Sequence, residues 1–122
     1  MSDYKNQHFF KRLICALEGL RIAVRTERSF RSQLLLLALA MVALAVLQPA
    51  PIWWAIVLLA SGGVLAAELF NTALERLADH LHPDLHIEIR IVKDCAAAAV
   101  LVMAFSAVAV AAVLVWVALH TH

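Results

Sequence analysis

The sequence predicts an all-α membrane protein, in which an N-terminal amphipathic helix on the membrane surface precedes three transmembrane helices. The first observation behind this prediction is composition. Of the 122 residues, 64% are hydrophobic and 16% are charged, and the mean hydropathy is +0.86. Soluble domains are about half apolar and about a quarter charged, and so short a chain could not bury this much apolar surface in water. The composition excludes a disordered chain, a coiled coil and a disulfide scaffold.

The second observation is the placement of charge. All ten lysines and arginines lie before residue 32 or between residues 76 and 93, and all nine acidic residues lie before residue 34 or between residues 68 and 94. The stretches 32–67 and 95–122 contain no aspartate, glutamate, lysine or arginine. Because basic segments of membrane proteins stay on the cytoplasmic side, we expect the N-terminus inside and the C-terminus outside.

Three apolar runs predict the transmembrane spans, at about 31–48, 52–77 and 95–119. Residues 96–119 supply 24 consecutive apolar or small residues. As a helix they would extend about 36 Å, which is enough to cross a hydrocarbon core of about 30 Å. The sequence Gln-Pro-Ala-Pro at 48–51 separates the first two spans. We expect 78–94 to be a polar cytoplasmic loop, and the chain 1–122 to form a single domain.

The segment at about 8–31 is predicted to be an amphipathic helix in the plane of the headgroups. Basic residues cover much of one face, which suits attraction to anionic lipid. Apolar residues recur at spacings of three and four along the other face, at Phe9, Phe10, Leu13, Leu17, Leu20 and Val24.

Glu68 is the charged residue that composition does not explain, because it follows a long uncharged run. A carboxylate in a transmembrane helix costs several kcal/mol, and such residues usually serve a function. Asn71 and Glu75 follow at spacings that place all three on one helical face. This stripe could make polar contacts between helices. It is better suited to a proton or a hard cation such as Mg²⁺, because two acids on one face repel each other otherwise.

Three further charged residues lie at the ends of the predicted spans: Glu27 before the first, and Lys93 and Asp94 before the third. Taken alone, Glu27 is interpreted as a solvated surface acid, and Lys93 and Asp94 as ordinary charged residues at the start of a helix. Together with Glu75 they supply acids for a metal and a lysine for phosphate, the groups that phosphoryl transfer requires. The glycine-rich phosphate loops of soluble nucleotide-binding folds do not occur in the sequence.

The sequence resembles the bacterial integral-membrane diacylglycerol kinase family, which includes undecaprenol kinases. The resemblance covers about residues 9–119 and depends most on the pattern Glu-x-x-Asn-Thr-Ala-x-Glu at 68–75. The other matching segments are Ala-Leu-Glu-Gly-Leu at 16–20, Glu-Arg-Ser-Phe-Arg at 27–31 and the run that begins Val-Lys-Asp-Cys at 92–95.

The resemblance implies a homotrimer with active sites between protomers, ATP as co-substrate and Mg²⁺ as cofactor, in the bacterial cytoplasmic (inner) membrane. It implies that Glu68 is the catalytic base that accepts the proton of the lipid hydroxyl. Glu27 and Glu75 would hold Mg²⁺, and Glu68, Arg31 and Ala97 would contact the lipid substrate. The nucleotide-binding residues would be Asn71, Asp84, His86, Lys93 and Asp94.

The predicted function is therefore ATP- and Mg²⁺-dependent phosphorylation of a membrane lipid alcohol, with diacylglycerol as substrate and phosphatidic acid as product. Undecaprenol is the alternative substrate. A small ion or proton transport subunit, in which Glu68 and Glu75 line a path, is a further alternative, and a structural membrane adaptor is another. Nucleic acid is not expected as a partner, because no basic stripe is interleaved with aromatic residues.

Overall fold

The computed structural model describes the backbone of residues 2–121 and the side chains of residues 8–121. Within that range the chain forms four α-helices and no strand. Helices α2, α3 and α4 are each long and apolar enough to cross a membrane. The predicted fold class, one leading helix and three candidate spans, is confirmed. The helices are α1 (Ser2–Thr26), α2 (Arg28–Leu47), α3 (Pro51–Leu81) and α4 (Ile87–His120).

The first helix ends at Thr26, earlier than the predicted boundary at residue 31. Glu27 is extended, with φ −112° and ψ 109°, and α2 begins immediately after it. The Arg31 Nη1 atom donates to the carbonyl oxygens of Val24 (2.9 Å) and Arg25 (3.1 Å), which have no partners in the last turn of an isolated helix. The break therefore forms where a side chain from α2 caps the end of α1.

The turn between α2 and α3 lies at 48–50, where the sequence predicts a break. Gln48 is left-handed, with φ 50°, and its backbone N–H donates to the Leu44 carbonyl oxygen at 2.9 Å. Pro51 occupies the first turn of α3, where a missing N–H costs no helical hydrogen bond. This short turn makes α2 and α3 an antiparallel hairpin.

The prediction of a polar loop over 78–94 is wrong in extent, because only 82–86 is non-helical. Pro83 disfavours helical geometry at the preceding residue, so α3 ends at Leu81. Helix α4 begins at Ile87, where the Nδ1 atom of His86 accepts a hydrogen bond from the Glu88 N–H at 3.1 Å. Helices α3 and α4 thus continue beyond the apolar runs that define the predicted spans.

Helix α3 packs most extensively against α4 and also contacts α1 and α2. Near the 48–50 turn, Leu44, Val57 and Leu114 form a cluster of buried apolar side chains. Farther along, α3 and α4 approach closely at Gly63, where a Cβ atom would overlap the methyl group of Met103. A cavity of about 290 Å³ lies among α2, α3 and α4, with walls that are mostly alanine, leucine and valine.

Candidate active site

The buried carboxylate of Glu68 is the centre of the candidate site. Its side chain lies on α3 and Glu68 is only 4% exposed. The Ser29 hydroxyl, from the first turn of α2, donates to Glu68 Oε2 at 3.1 Å. A buried carboxylate is costly without such a partner. The site therefore joins two helices whose contacting residues are 39 positions apart in the sequence.

Asn71 and Glu75 continue the polar face of α3. The Asn71 Nδ2 atom donates to Glu75 Oε1 at 3.4 Å, which shows that these two residues share one face as their spacing predicts. The Oδ1 atom of Asn71 is buried and has no hydrogen-bond partner among the described residues. Since a buried amide oxygen usually has a partner, this atom is an unsatisfied acceptor within the protomer.

Glu27 lies at the break between α1 and α2, and its carboxylate faces a cation from α3. The Arg76 Nη2 atom lies 3.8 Å from Glu27 Oε1. The same Nη2 atom donates to the Thr26 hydroxyl oxygen at 2.7 Å. Because Arg76 directly follows Glu75, these contacts bring the α1–α2 break to the end of α3 that carries Glu75.

The predicted nucleotide-binding residues of the α3–α4 region form a second group at the same end of the bundle. Lys93, on α4, makes an ion pair with Asp79 on α3. Asp79 follows Glu75 by one helical turn, a rise of about 6 Å, so the lysine lies close to the acidic stripe. Asp94 is exposed and lies 4.0 Å from Arg90. Asp84 and His86 lie in the exposed 82–86 turn.

The two predicted lipid contacts beside Glu68 are exposed in the protomer. Arg31 uses its Nη1 atom to cap the end of α1. Ala97 lies on α4 next to the buried Ala96. In the part of the chain described, no hydrogen bond or ion pair joins Arg31 to Glu68. Lipid contact therefore stays a prediction for both residues.

The acidic residues of the site could supply only part of a ligand set for Mg²⁺. Over residues 8–121, no three histidine, cysteine, aspartate or glutamate side chains come together as a metal cage. Proteins usually hold Mg²⁺ with one or two carboxylates and complete its shell with substrate phosphates and water. The Glu75 carboxylate, with the Asn71 amide hydrogen-bonded to it, fits this partial ligand set. The residues present are thus suited to a cation that arrives with a phosphate ligand.

Three residues of this site were not predicted from the sequence: Ser29, Arg76 and Asp79. Ser29 occurs in the matching segment 27–31, but its partner Glu68 lies on another helix. Arg76 contacts Thr26 across 50 positions. Of the three, only Asp79 could have been predicted from its spacing in the sequence, because it extends the helical face of Asn71 and Glu75 by one turn.

The fold and the site together define a small integral membrane protein with a carboxylate-rich centre at the polar end of its helical bundle. The model of the prokaryotic diacylglycerol kinase family matches residues 14–115, which include every candidate site residue. The chain belongs to this family of prokaryotic lipid kinases, as its sequence pattern indicates. It is 33% identical over 104 residues to the undecaprenol kinase of Bacillus subtilis (strain 168), an alignment that covers 84% of this chain and 85% of that protein.

Proposed function

We propose that this protein is an ATP-dependent kinase of a membrane lipid alcohol and that undecaprenol is its substrate. The observation that carries the proposal is the buried Glu68 carboxylate, which is held by Ser29 at the polar end of three apolar helices. A general base in this position can accept the proton of a hydroxyl group that approaches from within the bilayer.

The adjacent cavity supports a lipid substrate. Gln33 lines it and lies one turn after Ser29 on α2, so the cavity begins close to the Ser29–Glu68 hydrogen bond. It continues between apolar residues of α2, α3 and α4. An alcohol whose hydroxyl lies at Glu68 could therefore place part of its hydrocarbon chain among these helices, where apolar walls favour it.

The reaction proposed is direct transfer of the γ-phosphoryl group. The lipid oxygen forms a bond to phosphorus, the bond to the β-phosphate oxygen breaks, and Glu68 takes the hydroxyl proton, with ADP as leaving group. The nucleotide would be bound and oriented by five side chains: Asn71, Asp84, His86, Lys93 and Asp94. Glu27 and Glu75 would hold Mg²⁺, which when bound neutralises phosphate charge.

Undecaprenol, rather than the diacylglycerol predicted from the sequence, is proposed because the relative named above is an undecaprenol kinase. The apolar cavity walls carry few groups that could recognise a glycerol ester. Diacylglycerol remains the competing substrate, since both are lipid alcohols that would present a hydroxyl at Glu68.

The test is a side-by-side assay of the purified protein with γ-labelled ATP and either undecaprenol or diacylglycerol in the same detergent micelles. We expect Mg²⁺-dependent label in the undecaprenol product and a lower kcat/KM for diacylglycerol. A preference for diacylglycerol would overturn the choice of substrate. Failure to label either lipid, with ion flux through sealed vesicles in the absence of ATP, would favour the transport alternative.

We further propose a homotrimer in the bacterial cytoplasmic membrane, with the N-terminus on the cytoplasmic side. Phe70, on the side of α3 opposite the buried Glu68, is 72% exposed in the protomer, which supports a lipid or protein neighbour for that side. Segregation of all ten basic residues into the N-terminal segment and residues 76–93 supports the orientation. The mass of the protein–detergent complex checks the trimer.

Removing the hydroxyl of Ser29 tests how Glu68 is held. Hydrogen bonds to charged groups contribute about 1.5–3 kcal/mol, so Ser29→Ala is expected to lower kcat by about 10- to 150-fold. Ser29→Thr keeps the hydroxyl and is the matched control, with a kcat near that of the unmodified protein. Steady-state kinetics with saturating ATP measure both. An unchanged kcat in Ser29→Ala would show that this hydrogen bond does not contribute to turnover.

A further inference from the structure

Arg76, on α3, is hydrogen-bonded to the residue that precedes the break between α1 and α2. Its Nη2 atom donates to the Thr26 hydroxyl oxygen at 2.7 Å, and Thr26 in turn donates to the Ile22 carbonyl oxygen at 2.7 Å. This chain of hydrogen bonds fixes the guanidinium group against the last turn of α1. Arg76 is thereby anchored by Thr26.

The same nitrogen faces Glu27 without forming a hydrogen bond to it. The distance of 3.8 Å between Nη2 and Glu27 Oε1 exceeds the range of hydrogen bonds but allows electrostatic attraction. The Glu27 side chain is 28% exposed and the Arg76 side chain is 53% exposed. The carboxylate is therefore attracted toward α3 while its oxygen lone pairs stay available.

Glu27 needs such an orienting partner because of its backbone. It is the one extended residue between two helices, and its own N–H is bonded to the Ala23 carbonyl oxygen at 2.9 Å. This bond and the Arg31 cap hold the main chain of the break. Among the described contacts, only that with Arg76 acts on the Glu27 carboxylate.

We propose that Arg76 is a positioning residue, which holds the Glu27 carboxylate toward the Glu75 end of α3 so that both acids face the phosphates of the nucleotide. This inference rests on the proposed function, because it assigns Glu27 to the phosphate end of the kinase site. It separates the role of Arg76, which contacts the break between α1 and α2, from that of Lys93, which pairs with Asp79.

The experiment compares Arg76→Gln with Arg76→Lys and with the control Arg21→Gln. Arg21 is an exposed arginine of α1 that pairs with Glu18 in the same helix. We expect Arg76→Gln to raise the KM for Mg²⁺·ATP by about 10-fold, the lower end of the effect seen when the partner of a metal ligand is lost. The KM for the lipid should stay unchanged. Arg76→Lys should recover most of the loss, because one nitrogen makes both contacts.

A second measurement needs no turnover: amide hydrogen exchange of residues 26–30 in detergent. We expect faster exchange in Arg76→Gln than in Arg21→Gln, and an intermediate rate in Thr26→Val, which removes the hydroxyl that anchors the arginine. Unchanged exchange in Arg76→Gln would overturn the anchoring of the break.

An equal rise in both KM values would overturn the positioning role, since general loss of structure affects both substrates. An unchanged KM for Mg²⁺·ATP in Arg76→Gln would also overturn the positioning role. If the unmodified protein phosphorylates no lipid alcohol, the proposed function fails and with it the assignment to the phosphate site, whereas the exchange measurement still decides whether Arg76 holds the break.

Discussion

Glu68→Gln is expected to abolish phosphoryl transfer while ATP continues to bind. Glutamine has nearly the same shape but cannot accept the proton of the lipid hydroxyl, and loss of a general base lowers rates by about 10²- to 10⁴-fold. Glutamine also removes the charge from a side chain that is 4% exposed. The variant should therefore fold at least as well as the unmodified protein. Turnover is measured with γ-labelled ATP and lipid, and binding with a fluorescent ATP analogue.

Glu18→Gln is the matched control for this variant. The substitution removes the same charge as Glu68→Gln does, but from the surface of α1, where the Glu18 side chain is 60% exposed. Its activity should equal that of the unmodified protein. If Glu68→Gln kept near-normal kinase activity, Glu68 would not be the base. Loss of ATP binding together with activity would instead assign Glu68 to the nucleotide.

Glu75→Gln is expected to have the second largest effect, and on a different step. Glu75 accepts a hydrogen bond from the Asn71 amide nitrogen and is proposed to hold Mg²⁺ at the phosphates. Loss of one such electrostatic group costs about 10²- to 10³-fold in kcat. In contrast to Glu68→Gln, this variant should also need more Mg²⁺ for half-maximal ATP binding, as measured by titration with the fluorescent analogue.

Glu18→Gln again serves as the control, since it removes an equal charge far from the acidic face of α3. Glu75→Asp keeps the carboxylate on a shorter side chain and should bind ATP at Mg²⁺ concentrations between those of Glu75→Gln and the unmodified protein. An unchanged Mg²⁺ requirement in Glu75→Gln would remove this residue from the metal site.

The helices were predictable because apolar runs and proline-rich breaks determine them, but two boundaries were not. Thr26 and Glu27 carry no glycine or proline signal, and the end of α1 is capped by the side chain of Arg31, which lies on the next helix. At the other boundary, residues 78–81 and 87–94 carry charged side chains among apolar ones and yet are helical. A span is defined by the thickness of lipid, whereas a helix continues until its backbone is interrupted, as it is before Pro83.

The candidate site, too, could be predicted from the sequence only in part. The spacing of Glu68, Asn71 and Glu75 within one helix predicted their common face, and the Asn71–Glu75 hydrogen bond confirms it for that pair. The partners supplied by other helices, Ser29 for Glu68 and Arg76 for Glu27, depend on how the helices pack. Periodicity carries no information about contacts of that kind, and the oxygen of Asn71 left without a partner could be recognised only from burial.

The hydrogen bond between Ser29 and Glu68 has a consequence for how the protein enters the bilayer. The serine is on the first span and the carboxylate is on the second, and a turn of three residues, 48–50, joins them at the far end. Alone in lipid, α3 would carry an unsatisfied carboxylate, whereas paired with α2 it would not. We therefore expect α2 and α3 to leave the insertion machinery together as a helical hairpin, with the hydrogen bond between Ser29 and Glu68 already formed before any substrate binds.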